Sequence, residues 1–210
     1  MKPRLVRLAG ATALAALLCA ACVQDVPPPA PAAAAPPDPA AASTDVALER
    51  ARAAAMAFSG QLRNRLQSAM AEGGPTAAVE VCHTEAAQIA SAVMVEHGVR
   101  LGRVAAPGRN RNPAQAADGW KLATLEAFQR AVDDGAAAGE QVAVMREHLP
   151  DGVALRMMRG IATEQVCLAC HGAEIAPEVR ETILTRYPDD GATDFALSDL
   201  RGALWVEVPE

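Results

Sequence analysis

Late in the 210-residue chain stands Cys167-Leu168-Ala169-Cys170-His171, and no other stretch limits the possible folds so sharply. A C-x-x-C-H run presents two thiols within one helical turn and an imidazole beside them, the arrangement that meets the two vinyl groups and the iron of a covalently attached haem. A domain that carries such a group must close around a rigid, flat, apolar plate. The composition agrees: hydrophobic residues make up 51% of the chain but aromatics only 3%, and a porphyrin fills area that aromatic side chains otherwise fill. A disulfide, a thioredoxin-like redox pair and half of a zinc site are the other uses of such a cysteine pair. The redox pair belongs after a strand in a βαβ unit, which this sequence lacks. A closed zinc site needs a further ligand, for which Cys82 is available. One covalent haem c on Cys167 and Cys170, with His171 on the iron, is the expected cofactor.

Residues 1–21 read as an export signal, with Lys2, Arg4 and Arg7 ahead of an apolar run from Leu8 to Leu18 that is too short to span a bilayer. Ala20-Ala21-Cys22 has the form of the end of a bacterial lipobox, although Cys19 stands where leucine is usual. Cys22 is therefore the expected lipidated N-terminus of the mature chain, and two or more acyl chains make a stable anchor. Plain secretory cleavage nearby is the alternative. Residues 22–43 form a tether: seven prolines and many alanines lie between Val23 and Ser43, a composition that favours polyproline II and buries no core. The expected location is the periplasm, at the membrane through the lipid or else soluble. Nineteen basic residues against 25 acidic give a net charge of −6. That balance argues against nucleic acid and against electrostatic docking on anionic lipid, which leaves the anchor as the membrane contact.

The folded domain is expected over residues 44–210, with Ser43-Thr44-Asp45 as helix-capping residues. Leu48, Ala51, Ala55, Phe58, Leu62, Leu66 and Met70 recur at three- and four-residue steps and predict a helix to about Glu72, ended by Gly73-Gly74-Pro75. A second helix, about Thr76 to Glu96, carries Cys82, Ala86, Ile89 and Val93 in one stripe, so Cys82 faces inward. Val99 to Val104 reads as a short strand. Asn112-Pro113 reads as the start of a third helix that runs to about Asp133. Val142 and Val144, then Val153, Leu155 and Met157, alternate as two antiparallel strands turned by Leu149-Pro150-Asp151-Gly152, and Ala203 to Val208 is a last strand. Helices first and strands later make this an α+β domain.

Several residues compete as second axial ligand. Cys82 is the unpaired inward thiol, and His83, about 100° round the helix, is its neighbour. Met157 and Met158 fall on opposite faces of a strand, whereas His97 and His148 sit near element ends. Spacing alone leaves the choice open.

Five pieces in order, Ala78-Val79-Glu80-Val81-Cys82, Arg111-Asn112-Pro113, Cys167-Leu168-Ala169-Cys170-His171-Gly172, Tyr187-Pro188-Asp189-Asp190 and Leu200-Arg201-Gly202-Ala203, resemble a bacterial and cyanobacterial c-type haem family first filed as a domain of unknown function. The resemblance spans roughly Asp45 to Glu210. It implies a PAS-like fold, an antiparallel sheet with flanking helices around one covalent haem, and axial ligation by His171 and Cys82. His83, Gln115 and Lys121 depart from the family's pattern. Arg109 and Arg111, in the loop from Pro107, are the candidate partners for haem propionates, with Arg156 and Arg159 behind them.

The resemblance favours a redox or small-gas sensor module, with carbon monoxide or nitric oxide as ligand and a signalling protein as partner. A periplasmic electron-transfer cytochrome with a redox partner is the alternative, favoured by the tether. Six-coordinate iron and no distal acid/base pair near the box argue against an enzyme. The leader generates one test. Mature protein should fractionate with membranes and Cys22→Ser should release it; a wholly soluble wild type whose N-terminus is not Cys22 would refute lipidation.

Overall fold

The computed structural model describes residues 39–210, with side chains from residue 45 onward. The leader, Cys22 and the tether up to residue 38 lie outside the described residues. The first helical segment, α1, spans Pro39–Glu80. It starts ahead of the expected caps because proline suits a first helical position and Ala40, Ala41 and Ala42 are the strongest helix formers. The Gly73-Gly74-Pro75 break narrows to a single residue, Gly74, whose φ of 70° and ψ of −163° kink the segment before Pro75 restarts it. A π turn, Val81–Glu85, then leads into α2, Ala86–His97, which ends on left-handed Gly98.

Strands β1 (Arg100–Val104), β2 (Val142–Met145), β3 (Val153–Ala162) and β4 (Leu200–Pro209) form one antiparallel sheet in the order β1-β4-β3-β2. The period-two reading holds in detail. Leu155 and Met157 pack with Leu204, Val206 and Val208 beneath Ala51, Phe58 and Leu62 of α1. Met158 and Ala203 face the other way, onto Leu125 and Phe128 of α3, Gly119–Asp133. Both methionines considered as iron ligands are thus core residues on opposite faces of β3.

The third helix begins later than expected. Asn112 does cap, its Oδ1 accepting the Ala114 N–H at 3.0 Å, but only a single 3-10 turn, Pro113–Gln115, follows. Ala105 donates to the Gln115 carbonyl and accepts the Ala117 N–H, both at 2.9 Å. Those bonds require extended chain, so the helix restarts at Gly119. Helix α5 follows the short α4 (Leu168–His171) and spans Pro177–Arg186. It was not anticipated, although Val179 and Ile183 stand at i, i+4 behind a first-turn proline, and they bury against Val79.

Between β3 and β4 the register runs Gly160↔Ala203, Ile161↔Gly202, Ala162↔Leu200, so Arg201 is the extra residue of a bulge. Gly202 takes φ 152°, and a Cβ there would collide with the Val104 carbonyl oxygen. Both a strained backbone and a clash oppose any side chain at this point. Gly202→Ala is therefore expected to destabilise the domain by about 2–4 kcal/mol, read as a lower urea midpoint at unchanged m-value.

Candidate functional site

The haem-box cysteines follow β3 directly. Thr163 pins the strand end by donating its N–H to the Asp199 carbonyl and accepting that of Ser198, both at 2.8 Å. A 3-10 turn, Gln165–Cys167, passes into α4, which ends on Gly172. Glycine is required there because a Cβ would meet the Leu168 carbonyl oxygen at 2.7 Å. In one and a half turns the chain presents Cys167, Cys170 and His171 to a single cavity.

That cavity lies between α1 and the end of the sheet. Phe58, Leu62, Leu66 and Met70 form its wall on α1, Ile161 and Leu204 its wall on the sheet, and Cys82 and His171 both border it. A smaller polar cleft adjoins it, and Cys82, His171, Arg103, Arg111 and Arg201 border both. The inward placement of Cys82 therefore agrees with its stripe. His83 is exposed, stacks edge-on against Tyr187 at 5.3 Å between centroids, and borders neither space, as do His97 and His148. Cys82 sits within the π turn, an irregularity that recurs at functional positions in helices.

His171 is held in one tautomer. Its Nδ1 lies 2.7 Å from the Ala192 carbonyl oxygen, and since a carbonyl only accepts, Nδ1 carries the proton and Nε2 keeps its lone pair. Burial, then the Arg201 and Arg111 cations, hold the imidazole well below the usual histidine pKa, so it is neutral. Phe195 packs edge-on against the ring, and the Phe195 N–H donates to the His171 carbonyl at 3.0 Å. Burial pushes the Cys170 thiol up, with Arg111 opposing. The cysteines Cys82, Cys167 and Cys170 are unpaired. Among the described residues no three His, Cys, Asp or Glu side chains converge on a metal-sized point.

The arginines are held in different ways. Arg111 is 9% exposed and pairs with Asp190, Nε to Oδ1 at 3.0 Å and Nη2 to Oδ2 at 3.1 Å, while Nη2 also donates to the Cys170 carbonyl at 2.6 Å. Its Nε and Nη2 donors thus fasten the box. Arg109 is exposed and lies over the Phe195 ring at 4.0 Å. Arg156 pairs with Glu207 and Arg159 is exposed. The cations that border the cavity without an ion pair among the described residues are Arg103 and Arg201, neither of which was singled out from sequence. Arg201 stood within a piece that carried the family resemblance, and so did Asp190. The Arg201 Nε is buried with no hydrogen-bond partner, and burial and the neighbouring Arg103 pull its pKa down.

A family profile described as Tll0287-like matches residues 38–209. The chain belongs to the Tll0287-like family. A solved structure, "Crystal structure of the cyanobacterial heme-protein Tll0287", is similar to this Tll0287-like chain at a TM-score of 0.52 and 25% identity, covering 83% of this chain and 98% of that one. No curated protein matches. The α+β architecture with its four-stranded antiparallel sheet agrees with that neighbour.

The residues present fit the group that the box implies. Apolar walls, two thiols on one turn, a neutral imidazole with a free Nε2 and two unpaired arginines at the border suit a flat ligand with acidic substituents. The clamp on the box generates a prediction. Asp190→Ala strips Arg111 of its buried partner and frees the Ala192 N–H that Asp190 accepts at 3.0 Å, so the folded chain should lose about 3–5 kcal/mol by chemical denaturation. A loss below 1 kcal/mol would show that the clamp carries little.

Proposed function

We propose that this protein is an exported, lipid-anchored protein carrying one covalent haem, on Cys167 and Cys170, with His171 and Cys82 as axial ligands, and that it serves as a redox- or gas-responsive module. Membership of the Tll0287-like family and the haem-protein name of its solved neighbour support haem binding. The observation that carries the finer reading is the meeting of Cys82 and His171 at the one cavity that Cys167 and Cys170 also border.

Haem supplies a one-electron iron couple and two axial positions. The protein's part is to choose and hold the ligands. The hydrogen bond to the Ala192 carbonyl orients the His171 ring and raises the basicity of its Nε2. The stripe on α1 lines the same cavity with apolar side chains. Cys82 is held differently: it sits in a π-wound turn, where a rewinding toward α geometry would move the thiol. A small gas such as carbon monoxide or nitric oxide would then compete with a movable thiol rather than with the fixed imidazole. Such a mobile ligand is a bistable element that a partner protein can read. Val166, half exposed at the cavity rim beside Cys167, favours the second reading, an electron-transfer cytochrome whose cofactor edge meets a redox partner.

Haem staining of the denatured chain tests the attachment, and loss of the stain in wild type would end the reading. Redox titration followed by absorption separates the roles. Cys82→Ser should raise the midpoint by about 59 mV for each tenfold ferric preference that the thiolate confers. His83→Ala should leave spectrum and midpoint unchanged. Carbon monoxide or nitric oxide binding to the reduced wild type supports the sensor; a reversible couple indifferent to both supports the carrier. A spectrum that follows His83 and ignores Cys82 would refute the ligand assignment.

A further inference from the structure

We propose that Arg103 and Arg201 form a two-arginine carboxylate site that holds the haem propionates, the role first assigned to Arg109 and Arg111. The inference rests on the haem reading above. Arg103 lies on β1, opposite Leu204 of β4, and Arg201 occupies the bulge that Gly202 creates on the same strand. A bulge re-aims a side chain out of the regular alternation, and Arg201 thereby borders both the apolar cavity and the polar cleft beside it. Arg103 borders both as well.

No carboxylate among the described residues answers them. Glu164, which lines the cavity, is held bidentately by Arg63 at 2.8 and 2.7 Å. Asp190 belongs to Arg111. Two unpaired guanidinium groups bordering one cavity, one with a buried unpartnered Nε, call for anionic charge supplied from outside the chain. The chemistry that fits is a pair of carboxylates on the edge of an apolar plate. The plate packs between Leu62, Leu66 and Leu204, and each carboxylate meets a guanidinium fork, whose planar donors match it bidentately. Free phosphate or a small dicarboxylate shares the anionic chemistry but has no use for the apolar walls.

The test uses the full chain matured with its haem. Arg103→Gln and Arg201→Gln should keep the haem stain, because thioether attachment does not depend on the propionates. Their propionate bending bands in resonance Raman spectra should shift, and each midpoint should fall, since loss of a nearby cation favours ferric iron; a tenfold change in preference is about 59 mV. Arg201→Lys, which retains charge but lacks the fork, should restore the midpoint while the bands stay displaced. If the glutamine variants fail to fold, the lysine variants carry the same band test. Bands at wild-type positions in every variant that keeps its haem would overturn the proposal and leave the haem reading standing. Calorimetric binding of phosphate or succinate to haem-loaded wild type, lost in Arg201→Gln, would also overturn it by showing an open anion site. A wild type without covalent haem would instead remove the reading on which the inference rests.

Discussion

The ion pair between Arg111 and Asp190 ties together three stretches of chain that are far apart in sequence. Arg111 leaves the loop after β1, Asp190 follows α5, and the carbonyl of Cys170 accepts a further hydrogen bond from the arginine. Both side chains are almost fully buried, at 9% and 3% exposure. A buried charge with its partner removed is far more costly than a surface one, so the two loops and the cysteine turn are positioned together or not at all. Asp190 also accepts from the Ala192 N–H, and the Ala192 carbonyl accepts from His171. The clamp thus reaches the ring that faces the cavity through two hydrogen bonds and one residue of backbone.

Around this clamp the domain divides its labour between rigid and irregular parts. The sheet and the stripe on α1 give regular apolar walls, with Leu155, Val206 and Val208 fully buried at their junction. Three departures from regularity lead to or carry residues that border the cavity. Gly74 kinks α1 ahead of the Ala78 to Cys82 stretch, the π turn carries Cys82, and the Gly202 bulge carries Arg201. Strain and register faults are tolerated where neighbouring packing over-determines them, and here that packing is the sheet on one side and α1 on the other.

The charge distribution follows the same division. The acidic excess of the sequence lies largely on the surface, whereas the cavity gathers Arg103, Arg111 and Arg201. A chain of net charge −6 that concentrates cations in one low-dielectric recess is suited to an anionic ligand there, whatever its overall charge repels.

Much of this was legible in the sequence because it depends on local spacing. The thiols and imidazole of Cys167, Cys170 and His171 are brought together by a single turn, so their association needs no tertiary information. The same holds for the stripe that turns Cys82 and Val93 inward and for the alternation that sends Met157 and Met158 to opposite faces. The late start of α3 was hidden because Asn112-Pro113 is a sound helix start whose continuation is cancelled by Ala105, a residue paired with it only in three dimensions. The partners of the arginines were hidden for the same reason. Glycine and proline around Arg109 and Arg111 mark a loop but not its partners, and only the folded chain brings Asp190 to Arg111 and Phe195 to Arg109. Periodicity and short motifs determined which residues face inward and which chemistry gathers at the box. Which cation remains unpaired beside it was decided by tertiary structure alone, because counter-charge is set by distance in space, and a bulge of one residue at Arg201 is enough to change it.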